Sequence, residues 1–145
     1  MRLWHIDLLP YLPDLQFKGQ LREMVAILHD WRDKGETNHL LINRVIEFPK
    51  SDFVRYFIRY EALYCSRYGK WLTKQCREFL QFDDEQRDDR CLLFDTWHDK
   101  QYLRVCMANL YEKHFYGKGK SRITDEEWQT LLDGYRAITG EEYKI

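Results

Sequence analysis

Apolar residues recur at three- and four-residue intervals through most of the chain, and the rhythm stops at prolines, glycines or clustered charge. Residues 1–13, M-R-L-W-H-I-D-L-L-P-Y-L-P, carry two prolines and no helical period, which predicts an ordered, aromatic-rich arm rather than a helix. Asp14 is placed to cap a first helix over about residues 14–32, with Leu21, Val25, Leu28 and Trp31 on its buried stripe. A turn at Lys34-Gly35 follows, then a short helix capped by Thr37 or Asn38 and closed by Pro49. Ser51 opens a long helical pattern through Phe53, Phe57, Tyr60 and Tyr64 that reaches at least Tyr68 and is ended or bent by Gly69, and Trp71, Leu72, Cys76, Phe79 and Leu80 continue as a further helical stretch. The charged run from Asp83 to Asp89 reads as a solvated connector. Tyr102, Leu103, Cys106 and Leu110 mark a helix over about 97–114, and Thr124 with Glu127 forms a T-x-x-E capping box for a last helix ending near Gly140. No run alternates strictly enough for a strand, so the expected class is all-α: a compact single-domain helical bundle over residues 1–145, with the irregular arm packed on its body.

Composition supports a self-sufficient core. A chain of 145 residues buries roughly 68–70% of its unfolded surface, and 10 Tyr, 8 Phe and 5 Trp supply large rings without metals or disulfides. The four cysteines, Cys65, Cys76, Cys91 and Cys106, form no C-x-x-C pair and read as reduced thiols. No secretory signal and no long apolar run is present, which predicts a cytoplasmic protein with no membrane role. Net charge is −1, but residues 1–82 hold 13 Lys and Arg against 10 Asp and Glu, so a polyanion is expected to approach the first half of the chain.

The common catalytic signatures are missing: there is no Gly-rich phosphate loop, G-x-S-x-G, H-E-x-x-H or paired-cysteine metal site. Two segments resist a purely structural account. Chain ends normally fray, yet Leu3, Trp4, Ile6, Leu8, Leu9, Tyr11 and Leu12 need burial and would pin the start of the chain. On the first helix, Glu23 has Gly19 about one turn before it and Ala26 three residues after, leaving a bare helix face around a carboxylate. The bland alternative is a helix–helix contact beside an ordinary surface glutamate.

M-R-L-W at the start and Gly19-Gln20-Leu21-Arg22-Glu23 on the first helix resemble the pyrimidine-dimer DNA glycosylase family, which includes phage endonuclease V, most strongly over residues 1–50. Asn38-His39-x-Leu41 is similar to a His-containing stretch of cellular members, and the pattern from His98 to Leu110 is like that of an uncharacterised branch. The resemblance implies a DNA repair glycosylase with abasic-site lyase activity on damaged pyrimidines. In it the N-terminal amine, here that of Met1, attacks the sugar, and Glu23 serves as acid/base. Arg2 and Arg22 would hold phosphates, His39 would join the DNA contacts, and His114-Phe115-Tyr116-Gly117-Lys118-Gly119-Lys120 looks like the family's aromatic-basic segment, with Tyr116 and Lys118 as contacts. No cofactor and no metal is implied; the expected partner is damaged DNA, bound by a monomer. The bulky Arg2 should discourage removal of Met1, unlike the family's best-known member.

Two rival readings stand beside this one. The near-neutral charge favours a non-catalytic helical module that binds nucleic acid or protein on the same scaffold. Metal-dependent hydrolysis through His5, His39 and nearby carboxylates has no ligand spacing to recommend it.

Overall fold

A computed structural model describes residues 2–36, 43–83 and 93–145. It is all-α: five helices, α1 (Asp14–Lys34), α2 (Lys50–Tyr68), α3 (Thr73–Phe82), α4 (Lys100–Phe115) and α5 (Asp125–Thr139), with 3-10 turns at Ile6–Tyr11, Asn43–Glu47 and Gly119–Ser121. No strand occurs among the described residues. No helix among them is long and apolar enough to cross a membrane.

Local chemistry sets the helix ends. The Thr124 hydroxyl accepts from the Glu127 N–H while the Glu127 carboxylate accepts from the Thr124 N–H, which satisfies two of the amides left open at the start of α5. Gly69 and Gly140 end α2 and α5 in the left-handed conformation, each returning its N–H to a carbonyl four residues back. Gly35 does the same for α1, donating to the Trp31 carbonyl at 2.9 Å.

Two expectations change. The arm is not wholly irregular: His5 accepts the Asp7 N–H and starts a 3-10 helix that contains Pro10, whose fixed φ suits a helical turn. The buried line of α1 runs through Phe17, Gln20, Met24, Ile27 and Leu28, whereas Leu21, Val25 and Trp31 are only half-buried. The stripe is therefore rotated from the expected one, and a polar residue, Gln20, sits on it. The predicted caps Thr37 and Asn38, and the connector beyond Asp83, lie outside the described residues.

The described chain divides into two compact units, with the boundary inside α1 between Gly19 and Gln20. One comprises Met1–Leu3 and Gln20–Asp95. Its core is a cluster of rings: Phe57 and Phe79 stack at 4.2 Å, and Phe53 meets Phe79 edge-on at 5.1 Å. Trp31 packs against Phe53 and Phe82. The buried Asp52 carboxylate accepts from the Phe94 N–H at 3.2 Å and from Arg55 at 2.8 Å, tying the segment after the undescribed connector to α2.

The other unit comprises Trp4–Gly19 and Thr96–Ile145. Here the arm's 3-10 helix packs on α5, and α5 on α4. Gly134 allows the first of these contacts, because a Cβ there would run into the Tyr11 ring. Leu8, Leu9, Leu103, Cys106, Met107, Leu110, Leu131 and Tyr135 are all buried. The burial expected for the start of the chain is observed, since Leu3, Leu8 and Leu9 have no exposed surface.

Candidate active site

The helical spacing that buries Gln20 also decides where Glu23 stands. Three residues further along α1, Glu23 lies on the flank of the buried line, half-exposed, and its carboxylate takes part in part-buried hydrogen bonds. The Arg2 backbone N–H donates to Glu23 Oε2 at 2.9 Å, so the start of the chain is held against this carboxylate. Gln20 fixes the arrangement. Its Nε2 donates to the Arg2 carbonyl at 2.8 Å and, more weakly, to Glu23 Oε2 at 3.4 Å, while its Oε1 accepts from the Tyr56 hydroxyl at 3.2 Å. Both Gln20 and Tyr56 are fully buried. Both the N–H and the C=O of Arg2 are thus engaged from one turn of α1, and α2 braces that turn through Tyr56.

Sequence reasoning missed Gln20 and Tyr56 as positioning residues. The available signal was a polar residue in phase with Phe17, Met24 and Ile27, because a buried amide has to find partners. Replacing Gln20 with leucine removes its hydrogen bonds to the Tyr56 hydroxyl and the Arg2 carbonyl, each worth about 0.5–1.5 kcal/mol. The expected result is a lower urea midpoint, with faster hydrogen exchange at the Arg2 and Leu3 amides. Unchanged exchange there would remove Gln20 from this role.

Arg22 is exposed beside Glu23, and Arg2 is half-exposed; both belong to the unit that holds the carboxylate. Met1 and His39 lie outside the described residues. Tyr116 and Lys118 fall in the other unit, on an exposed segment where Tyr116 meets Phe115 edge-on at 4.8 Å. The glycines there are structural: a Cβ at Gly117 would strike the Lys113 carbonyl, and Gly119 has a φ of +65°.

His5, weighed above as a metal ligand, is occupied otherwise. Its Nδ1 accepts from the Asp7 N–H at 3.1 Å, so the proton sits on Nε2, which donates to the His98 carbonyl at 2.8 Å. His98 Nδ1 in turn accepts from the Ile6 N–H at 3.0 Å, and the two rings stack at 5.2 Å. Burial pushes both imidazoles below the ordinary histidine range, His98 the further; Asp7 and Asp99 partly oppose this for His5, while His5 reinforces it for His98. Among the described residues no group of three or more His, Cys, Asp or Glu could hold a metal ion.

Fold and site together define an all-α protein whose chain start is clamped to a glutamate of its first long helix. Residues 1–67 match the family model described as pyrimidine dimer DNA glycosylase, which supports the resemblance carried by Met1-Arg2-Leu3-Trp4 and Arg22-Glu23. The match takes in Arg2, Gln20, Glu23 and Tyr56, every member of the clamp. No curated protein and no solved structure matches the chain.

Proposed function

We propose that the protein is a DNA repair glycosylase with abasic-site lyase activity, with the α-amine of Met1 as nucleophile and Glu23 as acid/base. The observation that carries this reading is the 2.9 Å contact between the Arg2 amide and Glu23 Oε2. Covalent geometry keeps the nitrogen of a preceding residue within about 4 Å of that amide, so one sugar carbon can meet both an amine at the chain start and the carboxylate. An α-amine titrates near about 7.7–8.0 and a lysine near about 10.4, so the chain end offers far more neutral nucleophile at pH 7 without needing burial.

In the proposed reaction the amine bonds to C1′ as the glycosidic bond breaks and the base departs with a proton. The sugar ring opens to an imine, Glu23 takes a C2′ proton, and the 3′ phosphate leaves by β-elimination; water then hydrolyses the imine and frees the amine. Arg2 and Arg22 are suited to the flanking phosphates, with His39 and the Tyr116–Lys118 segment as further DNA contacts.

Borohydride tests the reading directly. Untagged protein incubated with an abasic or UV-dimer duplex should become covalently trapped through its first residue, as read by the mass of the adduct's N-terminal peptide. Acetylating the amine should abolish trapping. Salt-dependent DNA binding with no trapping on any lesion would replace this reading with that of a binding module.

A further inference from the structure

A groove lies on the α2–α3 side of the first unit. It is lined by Glu61, Trp71, Cys76, Arg77, Leu80 and Gln81, among others, and measures about 530 Å³, a size within the roughly 300–1,000 Å³ of small-molecule sites. All six but Glu61 lie after residue 67, where the family match ends.

Three features give the groove a definite chemistry. Glu61 is more than nine-tenths buried, yet its carboxylate is only partly used: Oε2 accepts from the Leu72 N–H at 3.1 Å, and the Cys76 thiol hydrogen-bonds the same carboxylate. A carboxylate offers about four lone-pair positions, so acceptor capacity is left for a ligand. Around it Trp71 is 65% exposed and Leu80 54%, an apolar wall standing in water. Cys76 is no nucleophile here, because burial first and the Glu61 charge second push its thiol up and keep it protonated.

Charge narrows the ligand further. A buried carboxylate disfavours an anion on the floor, and Arg77 disfavours a cation, so the fit is a neutral, flat molecule with donors on one edge and acceptors on another. We infer that this groove binds a guanine base presented by a nucleoside or nucleotide. The N1–H and N2–H of guanine form two parallel donors for the Glu61 carboxylate, its O6 and N7 accept from a guanidinium, and its ring stacks on Trp71. Adenine and cytosine place a ring acceptor nitrogen beside their amino group, and that lone pair would face a carboxylate oxygen.

The test is equilibrium titration of the full chain with guanosine, inosine, adenosine and guanosine monophosphate, read by tryptophan fluorescence and calorimetry. A short guanine-containing single strand serves as a fifth ligand. Guanosine should bind, inosine about tenfold more weakly for want of the N2 amine, and adenosine weaker still. Binding of the monophosphate assigns the site to free nucleotides, and tighter binding of the strand assigns it to a base within a chain. Trp71→Ala, at an exposed position that leaves the core intact, should reduce guanosine affinity at least tenfold, and Glu61→Gln should do likewise. No guanosine binding at millimolar concentration, equal affinity for guanosine and inosine, or full affinity in Trp71→Ala would overturn the assignment. The groove shares no residue with Met1, Arg2 or Glu23, so Glu23→Gln should bind guanosine normally, and failure of either proposal leaves the other standing.

Discussion

Glu23→Gln is expected to slow strand cleavage at an abasic site by about 10²–10⁴-fold, the range for loss of a positioned acid/base, while the protein stays folded. The glutamine side chain keeps a carbonyl oxygen able to accept from the Arg2 N–H, so the contact that holds the chain start survives in the variant. In the proposed mechanism it would lack a charge to steady the positive sugar and a base for the C2′ proton. Single-turnover cleavage of an abasic duplex, with circular dichroism as the check on folding, measures the effect. A folded variant that cleaves at the parental rate would remove Glu23 from the chemistry. Borohydride trapping should be less impaired than cleavage, because imine formation needs the amine more than it needs the carboxylate.

Mild acid is expected to destabilise the unit that contains His5 and His98. Both rings are neutral in the fold, and each accepts a backbone N–H at the nitrogen where a second proton would add. In the unfolded chain they titrate near about 6.5; in the fold their affinity for protons is lower. The unfolded state therefore binds more protons below about pH 6.5, and the stability these residues contribute, complete above that pH, falls as the solution is acidified toward their folded-state values. The slope can be no steeper than about 1.4 kcal/mol per pH unit for each histidine. Thermal melts between pH 7.5 and 5.5, above the range where most carboxylates titrate, should show a falling midpoint. His98→Asn should start less stable and lose the larger part of this dependence, since burial shifts His98 the further. A flat midpoint across that window in the parent protein would show that the two rings do not titrate as described.

The parts of this molecule that were legible in its sequence are those set by neighbours along the chain. Thr124, Glu127 and Gly140 announce both ends of α5 because capping is settled within one turn. Gly69 and the apolar spacing from Phe53 to Tyr64 do the same for α2. The rotation of α1 was not legible, because Leu21 and Val25 are as apolar as Met24 and Ile27, and the buried face carries a Gln20 whose partner Tyr56 lies 36 residues away. Glu23 was singled out as a carboxylate on a bare face, and the resemblance gave it a role, but its contact with the backbone of residue 2 is a tertiary fact that no spacing reveals. The histidine pair was hidden for the same reason, since His5 and His98 are 93 positions apart.

The seat of Tyr11 against Gly134 puts a clock on the maturation of the chain. The arm leaves the ribosome more than a hundred residues before α5, and at about 5–20 residues per second that interval is of the order of 6–25 s. Throughout it, the surface that will cover Leu8, Leu9 and Tyr11 is incomplete.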